Sequence, residues 1–409
     1  MNKAFLSYKK NKEIPVITIP GSKSESNRLL ILKAIFPNLT IKNLSNSDDT
    51  ISLEKGLKSL KCTIDVHHAG TAMRFLTAYF ASKNNSEITL TGSKRMQERP
   101  IKVLVDALRN LGADINYVNK EGFPPIRIKG KNLIQNSVTI KASVSSQYIS
   151  ALMLIAPSLP NGLIIRLDGE ITSVPYIEMT LELLKKTGVS GNFKSNIITI
   201  QPTKTIEDII INIESDWSSV SYYYSLVALS EGGSIKLKNY SENSLQGDSE
   251  IVSIYKELGV ETLFDATDNS IQLIKTKPSV KTLQLNLNKT PDIAQTIAVT
   301  CFGLGMSCYL NGLKTLKIKE TDRLEALKTE LEKLGANVEI SEDSLTLFSF
   351  KKINKDIEIE TYQDHRMAMA FAPLALKTSL LIKNPEVVTK SYTSFWEDFQ
   401  KAGIYSQLK

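Results

Sequence analysis

A pattern that recurs six times, at about 70-residue spacing, constrains this chain more than any other feature. One kind of helix in the pattern ends in Leu-Gly or a close variant: Val103 to Gly112, Glu178 to Gly188, Ile251 to Gly259, Leu324 to Gly335 and Phe395 to Gly403. Apolar residues fall at helical spacing in each, and the closing glycine suits a left-handed C′ cap. Alternating stretches follow four of them (Ala113 to Lys129, Val189 to Gln201, Val260 to Lys275, Ala336 to Phe350) and predict strand pairs joined by polar turns. A similar helix over Ile51 to Leu60 lacks the glycine and runs almost directly into Ala69-Gly70-Thr71. The first unit is therefore expected to have lost its strand pair.

A second kind of helix starts with small polar residues and becomes strongly apolar. Its six starts are Ser22-Lys23-Ser24, Ala69-Gly70-Thr71-Ala72, Ser143-Val144-Ser145-Ser146-Gln147, Ser215-Asp216-Trp217-Ser218-Ser219, Pro291-Asp292-Ile293-Ala294 and Asp364-His365-Arg366-Met367. The bodies are apolar nearly all round, so these helices should be buried with only their first turns able to meet water. For any single one, capping explains the polar start. Six such starts carrying Lys, Arg, Gln, Asp and His between them point to a shared polar cavity.

Six βαβαββ-like units predict an α/β protein of two domains with three units each, dividing near Ile213-Glu214. A length of 409 residues independently exceeds what one core usually supports. The N-terminal strand, Ala4 to Ile19, has no partner helix of its own, and the last unit has only Ile404 to Lys409 left after Gly403. The simplest closure lets the N-terminal strands complete the last unit. One domain would then comprise residues 1–20 and 214–409, the other residues 21–213. The chain would cross twice, near 20–21 and 213–214, forming a hinge beside an interdomain cleft.

Composition narrows the function classes. A net charge of +7 is modest for this length, and the lysines are scattered without interleaved aromatics, so a nucleic-acid partner is a minor expectation. Cys62, Cys301 and Cys308 have no metal-like spacing, and an odd count does not suggest a disulfide framework, which fits a reducing cytoplasm. No N-terminal stretch resembles a signal peptide and no segment approaches a membrane span, so no membrane partner is expected. Zinc spacing, a Gly-x-x-x-x-Gly-Lys-Ser/Thr loop, a dinucleotide fingerprint and a nucleophile elbow are all missing, so neither metal nor cofactor is expected.

The candidate chemistry sits at helix starts and strand-to-helix links. Lys23 and Arg28 lie in the first turns of the helix opened by Pro20-Gly21-Ser22, where backbone N–H groups and the dipole favour anions. A Ser-capped helix with exposed cations explains that stretch equally well. Arg99, in Arg95-Met96-Gln97-Glu98-Arg99-Pro100, joins the strand Ile88 to Thr91 to the helix at Val103 and suits bidentate capture of a carboxylate or phosphate; pairing with Glu98 is the plainer reading. Lys319-Glu320-Thr321-Asp322-Arg323 is expected to join a strand, Leu316-Lys317-Ile318, to the next helix, with Thr321 or Asp322 as its cap. Asp292 and Arg366 start buried helices, and Lys390 precedes the last helix. Asp292 is either an N-cap or a base toward a hydroxyl. Seven cations (Lys23, Arg28, Arg99, Lys319, Arg323, Arg366, Lys390) against Asp292 and Glu320 describe a site for substrates carrying several negative charges.

Taken together and in order, these motifs resemble the EPSP synthase (3-phosphoshikimate 1-carboxyvinyltransferase) family across essentially the whole chain. The resemblance rests on Pro20-Gly-Ser-Lys-Ser24 through Asn27-Arg28, Ala69-Gly-Thr-Ala-Met-Arg74, Arg95-Met96 with Glu98-Arg99-Pro100, and Ser145-Ser-Gln147. It continues through Ser173 with Pro175-Tyr176, Pro291-Asp292, Lys319-Glu-Thr-Asp-Arg323, Asp364-His-Arg-Met-Ala-Met369 and Lys390. It implies two inside-out, barrel-like α/β domains of three βαβαββ units each, the first unit truncated, with the active site in the cleft between them. It implies transfer of the enolpyruvyl group of phosphoenolpyruvate to the 5-hydroxyl of shikimate 3-phosphate, on the route to chorismate and aromatic amino acids. By that resemblance Lys23, Ser24, Arg28, Ser145, Ser146, Gln147, Ser173, Tyr176, Asp292 and Lys319 would hold shikimate 3-phosphate. Lys23, Gly70, Arg99, Gln147, Arg323, Arg366 and Lys390 would hold phosphoenolpyruvate. Asp292 would be the base toward the hydroxyl, with Glu320 and Lys23 as candidates for proton delivery. A monomer is the family expectation.

Four departures from the family's pattern stand out. His67-His68 occupy the place usual for Asn before Ala69-Gly70, which makes His68 a candidate for the phosphoenolpyruvate pocket or for a helix cap. Phe75 replaces the usual Pro after Arg74, which leaves sensitivity to glyphosate open. Thr315 stands where an Asn often contacts the shikimate moiety. The missing strand pair before His67 would trim one corner of the first domain. The sister transferase acting on UDP-N-acetylglucosamine is the nearest alternative, but it typically carries a reactive loop Cys and a Lys-Asn pair, and Lys23 is followed here by Ser24.

Overall fold

The computed structural model describes residues 2–10, 13–142, 145–169, 171 and 174–408. The chain divides into two compact units, Gly21–Ile213 and Met1–Pro20 with Glu214–Lys409. Each is built around three buried helices. In Gly21–Ile213 these are α1 (Lys23–Ile35), α2 (Gly70–Ser82) and α3 (Ser146–Ile155). In the other unit they are α4 (Trp217–Leu229), α5 (Ala294–Leu304) and α6 (His365–Phe371), the last continuing as a 3₁₀ turn over Ala372–Leu376. Within each unit the three helices pack pairwise against one another. Their apolar bodies bury all faces, as a helix without an amphipathic stripe must.

Sheets form the walls. In Gly21–Ile213 one sheet runs Thr63–Asp65, Glu87–Thr91, Ile126–Lys129, Asp114–Tyr117 in spatial order, and another Ser137–Lys141, Leu163–Asp168, Ile197–Ile200, Gly191–Lys194. The other unit has Val16–Thr18, Ser234–Lys238, Ser270–Lys275, Val260–Asp265; then Thr282–Asn286, Ser307–Asn311, Leu345–Leu347, Val338–Ile340; then Ile357–Ile359, Leu380–Lys383, Lys3–Tyr8, Ile404–Leu408. Every one of these sheets has one parallel pair followed by two antiparallel pairs. Burial alternates along the strands: in Ser137–Lys141 only Val138 and Ile140 are buried. One sheet face therefore meets water and the other the helices, so each unit is an inside-out α/β arrangement.

The amphipathic helices lie between strands and stop where the glycines predict. Gly112, Gly188, Gly259, Gly335 and Gly403 all take positive φ, from +84° to +104°, just beyond their helices. An L side chain at these turns would be strained, which is why the repeat ends in glycine.

The exchange of strands at the crossings follows from the repeat. Elsewhere the strand before a buried helix pairs in parallel with the strand after it. Val16–Thr18 precedes α1 in sequence but pairs with Ser234–Lys238, which follows α4. Ile209–Asn212 precedes α4 but pairs with Leu39–Lys42, which follows α1. Each unit thus takes its opening strand from the segment that leads to the other unit's first helix. The joins are tight. Asn43 Nδ2 donates to Ile213 O at 2.8 Å, and a Cβ on Gly21 would fall 1.8 Å from Asn43 O. Ser215 Oγ donates to Ile19 O at 2.6 Å.

Three expectations change. The N-terminal segment does not complete the last repeat alone: Lys3–Tyr8 enters the last sheet between Leu380–Lys383 and Ile404–Leu408, whereas Val16–Thr18 joins the sheet behind α4. Leu316-Lys317-Ile318 is not a strand. It ends a 3₁₀ helix over Lys314–Ile318, in which Leu313 and Leu316 are buried three residues apart, Leu316 N donates to Leu313 O, and Ile318 is 70% exposed. Burial here recurs at the period of three of a 3₁₀ turn, not at the period of two that a strand requires. Finally, Ile51 to Leu60 does not run straight into Ala69: the strand Thr63–Asp65, buried only at Ile64, intervenes and pairs with Glu87–Thr91. The strand pair of the first unit is absent as expected, leaving the two-stranded sheet of Leu39–Lys42 and Ile209–Asn212.

Candidate active site

The first turns of the buried helices bring polar groups together within each unit. In the unit holding residues 214–409, Asp292 does not cap its helix. Instead its Oδ1 accepts from Arg323 Nη1 at 2.9 Å and lies 3.3 Å from Lys319 Nζ, while Oδ2 lies 3.6 Å from Arg366 Nη2. Arg366 also donates through Nη1 to Asp292 O at 2.9 Å. Arg323, only 2% exposed, reaches Asp364 through Nε at 2.7 Å and Glu320 through Nη2 at 2.8 Å. Lys390 Nζ lies 3.9 Å from the other oxygen of Glu320. Asp364 both binds Arg323 and caps α6 by accepting from Arg366 N. Asp322 caps the helix Arg323–Lys333, which aims Arg323 inward from its first residue.

This network sets the charges. Burial pushes the Asp292 carboxyl up, but Lys319, Arg366 and Arg323 outweigh it and hold the group well below the usual carboxylate range. Desolvation opposes the charge on Arg323, and Asp364, Glu320 and Asp292 more than restore it. Asp248, in the 3₁₀ turn Gly247–Glu250, is pushed up to about 6, by burial first and by Asp292 second. It accepts a hydrogen bond from Ser218, in the first turn of α4.

In Gly21–Ile213, Ser22 and Ser145 cap α1 and α3. Lys23 Nζ faces Asp49 Oδ2 at 3.8 Å. Arg28 is buried: Nε donates to Thr180 Oγ1 at 2.7 Å, Nη1 to Ser24 O at 2.8 Å, and Nη2 to Ser150 Oγ at 2.9 Å and Tyr176 O at 3.4 Å. The rings of Phe75 and Tyr176 each lie 5.7 Å from its guanidinium carbon. Burial pulls its pKa down to about 10. Arg28 is thus the keystone between α1, α3 and the helix Val174–Lys186. Ser146 is buried, and Gln147 Nε2 donates to Thr71 Oγ1 at 3.3 Å, beside Gly70. Arg99 does not pair with Glu98; Arg95 does, at 3.4 Å. Arg99 instead lies over Gly70, where a Cβ would come within 2.8 Å of its Nη1. His68 is exposed, its Nδ1 2.8 Å from Ser93 Oγ, and the N-cap position of α2 is Ala69. Ser173 lies outside the described residues. Thr315 sits in the 3₁₀ turn, its hydroxyl oxygen buried.

The sequence reading missed Asp49 and Asp248, each a single acid with no periodic signal, and placed Asp364 at a buried helix start without its bond to Arg323. Asp48-Asp49 after Ser47 reads as an ordinary acidic helix start. Among the described residues, no helix is long and apolar enough to cross a membrane.

Five full copies and one trimmed copy of an α/β unit, with charged groups gathered at and beside the starts of buried helices, define a class of α/β protein whose site chemistry suits small polyanions. Residues 61–399 match the family model for EPSP synthase (3-phosphoshikimate 1-carboxyvinyltransferase). The chain is 46% identical over 392 residues to a 3-phosphoshikimate 1-carboxyvinyltransferase of Bacteroides fragilis, covering 95% of each chain. It is 37% identical over 412 residues to one from Colwellia psychrerythraea, covering 93% of this chain and 95% of that one. The fold is similar to the EPSP synthase of Acinetobacter baumannii, with a TM-score of 0.80 at 20% identity and full coverage of both chains. The chain belongs to the EPSP synthase family.

Proposed function

We infer that this protein transfers the enolpyruvyl group of phosphoenolpyruvate to the 5-hydroxyl of shikimate 3-phosphate, releasing phosphate, in the biosynthesis of aromatic amino acids. The observation that carries the chemistry is the clamp on Asp292, a nearly buried carboxylate touched by Arg323, Lys319 and Arg366.

In the proposed mechanism, a proton is delivered to the methylene carbon of phosphoenolpyruvate by Glu320 or Lys23. The adjacent carbon becomes electrophilic, and the 5-hydroxyl attacks it as Asp292 takes the hydroxyl proton. The tetrahedral adduct then expels phosphate as its methyl group returns a proton to the deprotonated Glu320 or Lys23, which restores the carbon–carbon double bond of the enolpyruvyl product; the charge of the departing phosphate is met by Arg99, Arg323, Arg366 and Lys390. Shikimate 3-phosphate is assigned to Lys23, Ser24, Arg28, Ser145, Ser146, Gln147, Ser173, Tyr176, Asp292 and Lys319. Phosphoenolpyruvate is assigned to Lys23, Gly70, Arg99, Gln147, Arg323, Arg366 and Lys390. Arg28 fits contact through the end of its fork only, since Thr180, Ser24 and Ser150 occupy much of it.

With three cations on it, Asp292 by itself is a poor base. The phosphate and carboxylate of phosphoenolpyruvate compete for Arg323 and Arg366, and each cation drawn away raises the proton affinity of Asp292. The base would thus become effective only once both substrates are held. A cytoplasmic monomer belongs to the same proposal. The test is release of inorganic phosphate that requires both substrates together; no release from the purified chain refutes the reading.

A further inference from the structure

We propose that Arg74 is a positioning residue: it holds Arg99 in place over Gly70 and thereby sets affinity for phosphoenolpyruvate rather than for shikimate 3-phosphate. This rests on the transferase reading above.

Arg74 lies in the second turn of α2 and is 4% exposed. Its Nη1 donates to Gly70 O at 3.0 Å and lies 3.5 Å from Met96 Sδ, and its Nη2 donates to Pro100 O at 3.4 Å. Tyr148 Oη donates to the same Pro100 oxygen at 2.5 Å. Met96 and Pro100 flank Arg99 on either side, and Arg99 N donates to Met96 O at 3.1 Å. The fork of Arg74 therefore ties the helix start that carries Gly70 to the segment that carries Arg99.

The two guanidiniums meet over the glycine. A Cβ on Gly70 would fall 2.8 Å from Arg99 Nη1, 3.2 Å from Arg99 Nη2 and 3.3 Å from Arg74 Nη1. Burial, then the charge of Arg99, pull the Arg74 pKa down to about 10. Among the described residues neither arginine makes an ion pair; Asp49, which faces Lys23, is the acid whose field reaches Arg74. Two like charges held together beside a helix start that lacks a side-chain cap repel until an anion sits with them. The Nε of Arg74 is also buried without a hydrogen-bond partner, so the side chain is held through its two terminal nitrogens.

The test is steady-state phosphate release by the full chain with each substrate varied. Arg74→Lys keeps a charge but cannot span the Gly70 and Pro100 carbonyls; Arg74→Gln removes the charge. For Arg74→Lys the KM for phosphoenolpyruvate should rise at least about tenfold, and further for Arg74→Gln, with the KM for shikimate 3-phosphate within about threefold and kcat within about fivefold. Tyr148→Phe, which removes the second donor to Pro100 O, should raise the phosphoenolpyruvate KM about two- to fivefold. A phosphoenolpyruvate KM within twofold of the parent (roughly, by the same measure) in folded Arg74→Lys, or equal rises in both KM values, overturns the proposal. If neither Arg74 variant folds, an unchanged KM in Tyr148→Phe overturns it. A parent without turnover refutes the transferase reading and this inference with it; an active parent with indifferent variants refutes this inference alone.

Discussion

Asp292→Asn separates charge from chemistry at the clamp. Lys319, Arg323, Arg366 and Lys390 face Asp292, Glu320 and Asp364, so the neutral amide raises the excess of positive charge from one to two. At an effective dielectric near 20, a unit charge about 5 Å from a bound anion is worth roughly 3 kcal/mol before screening. The freed cations therefore favour phosphoenolpyruvate, and its KM should hold or fall. Turnover should drop at least ~100-fold, because the amide cannot accept the hydroxyl proton. Arg323 keeps Asp364 and Glu320, so the cost to folding should be about 2 kcal/mol, or roughly 4–8 °C in the melting temperature of a unit of this size. Phosphoenolpyruvate should restore part of that loss by binding the freed cations. Phosphate release and thermal melting with and without substrate measure both effects. Turnover within about fivefold of the parent would remove Asp292 as the base, and a tenfold rise in the phosphoenolpyruvate KM (again approximate) would refute the electrostatic argument.

Other perturbations test the frame. The Asp248 carboxyl, raised to about 6 amid Asp292, Arg366 and Asp216, keeps a proton when folded that the unfolded chain has already lost. Parent stability should therefore fall as pH rises from about 4 to about 6; relative to it, Asp248→Asn should gain up to ~3 kcal/mol across that window, and parallel curves in urea unfolding would refute this. Gly21→Ala places a Cβ 1.8 Å from a backbone oxygen that cannot give way cheaply. It should cost at least about 2 kcal/mol in urea unfolding, and a loss under about 0.5 kcal/mol would show that the crossing is slack. Arg28→Lys loses the fork joining Thr180, Ser150 and Ser24, and should destabilise by about 2–4 kcal/mol; an unchanged midpoint would deny Arg28 its keystone role.

The sequence by itself determined the architecture of the repeat. Side-chain periods of 3.6 and 2 are local, and so is the demand for positive φ that puts glycine at 112, 188, 259, 335 and 403. The all-apolar bodies of α1 to α6 announced burial, and their polar starts announced where chemistry could sit. Local period also misled where it was short: Leu316 and Ile318 flank Lys317 in an alternation that three residues cannot distinguish from a strand, and Thr63–Asp65 is too brief to read at all. Only the tertiary structure decided the exchange of Val16–Thr18 and Ile209–Asn212, because strand pairing is a contact between segments far apart in the chain. The same holds for the acids. Nothing near Asp248 in sequence marks it as different from a surface carboxylate, and the buried helix start at Asp364 does not reveal which cation its carboxyl meets, since a carboxyl's charge and role depend on burial and on the cations facing it. Those neighbours arrive only when separate helix starts are brought to one place.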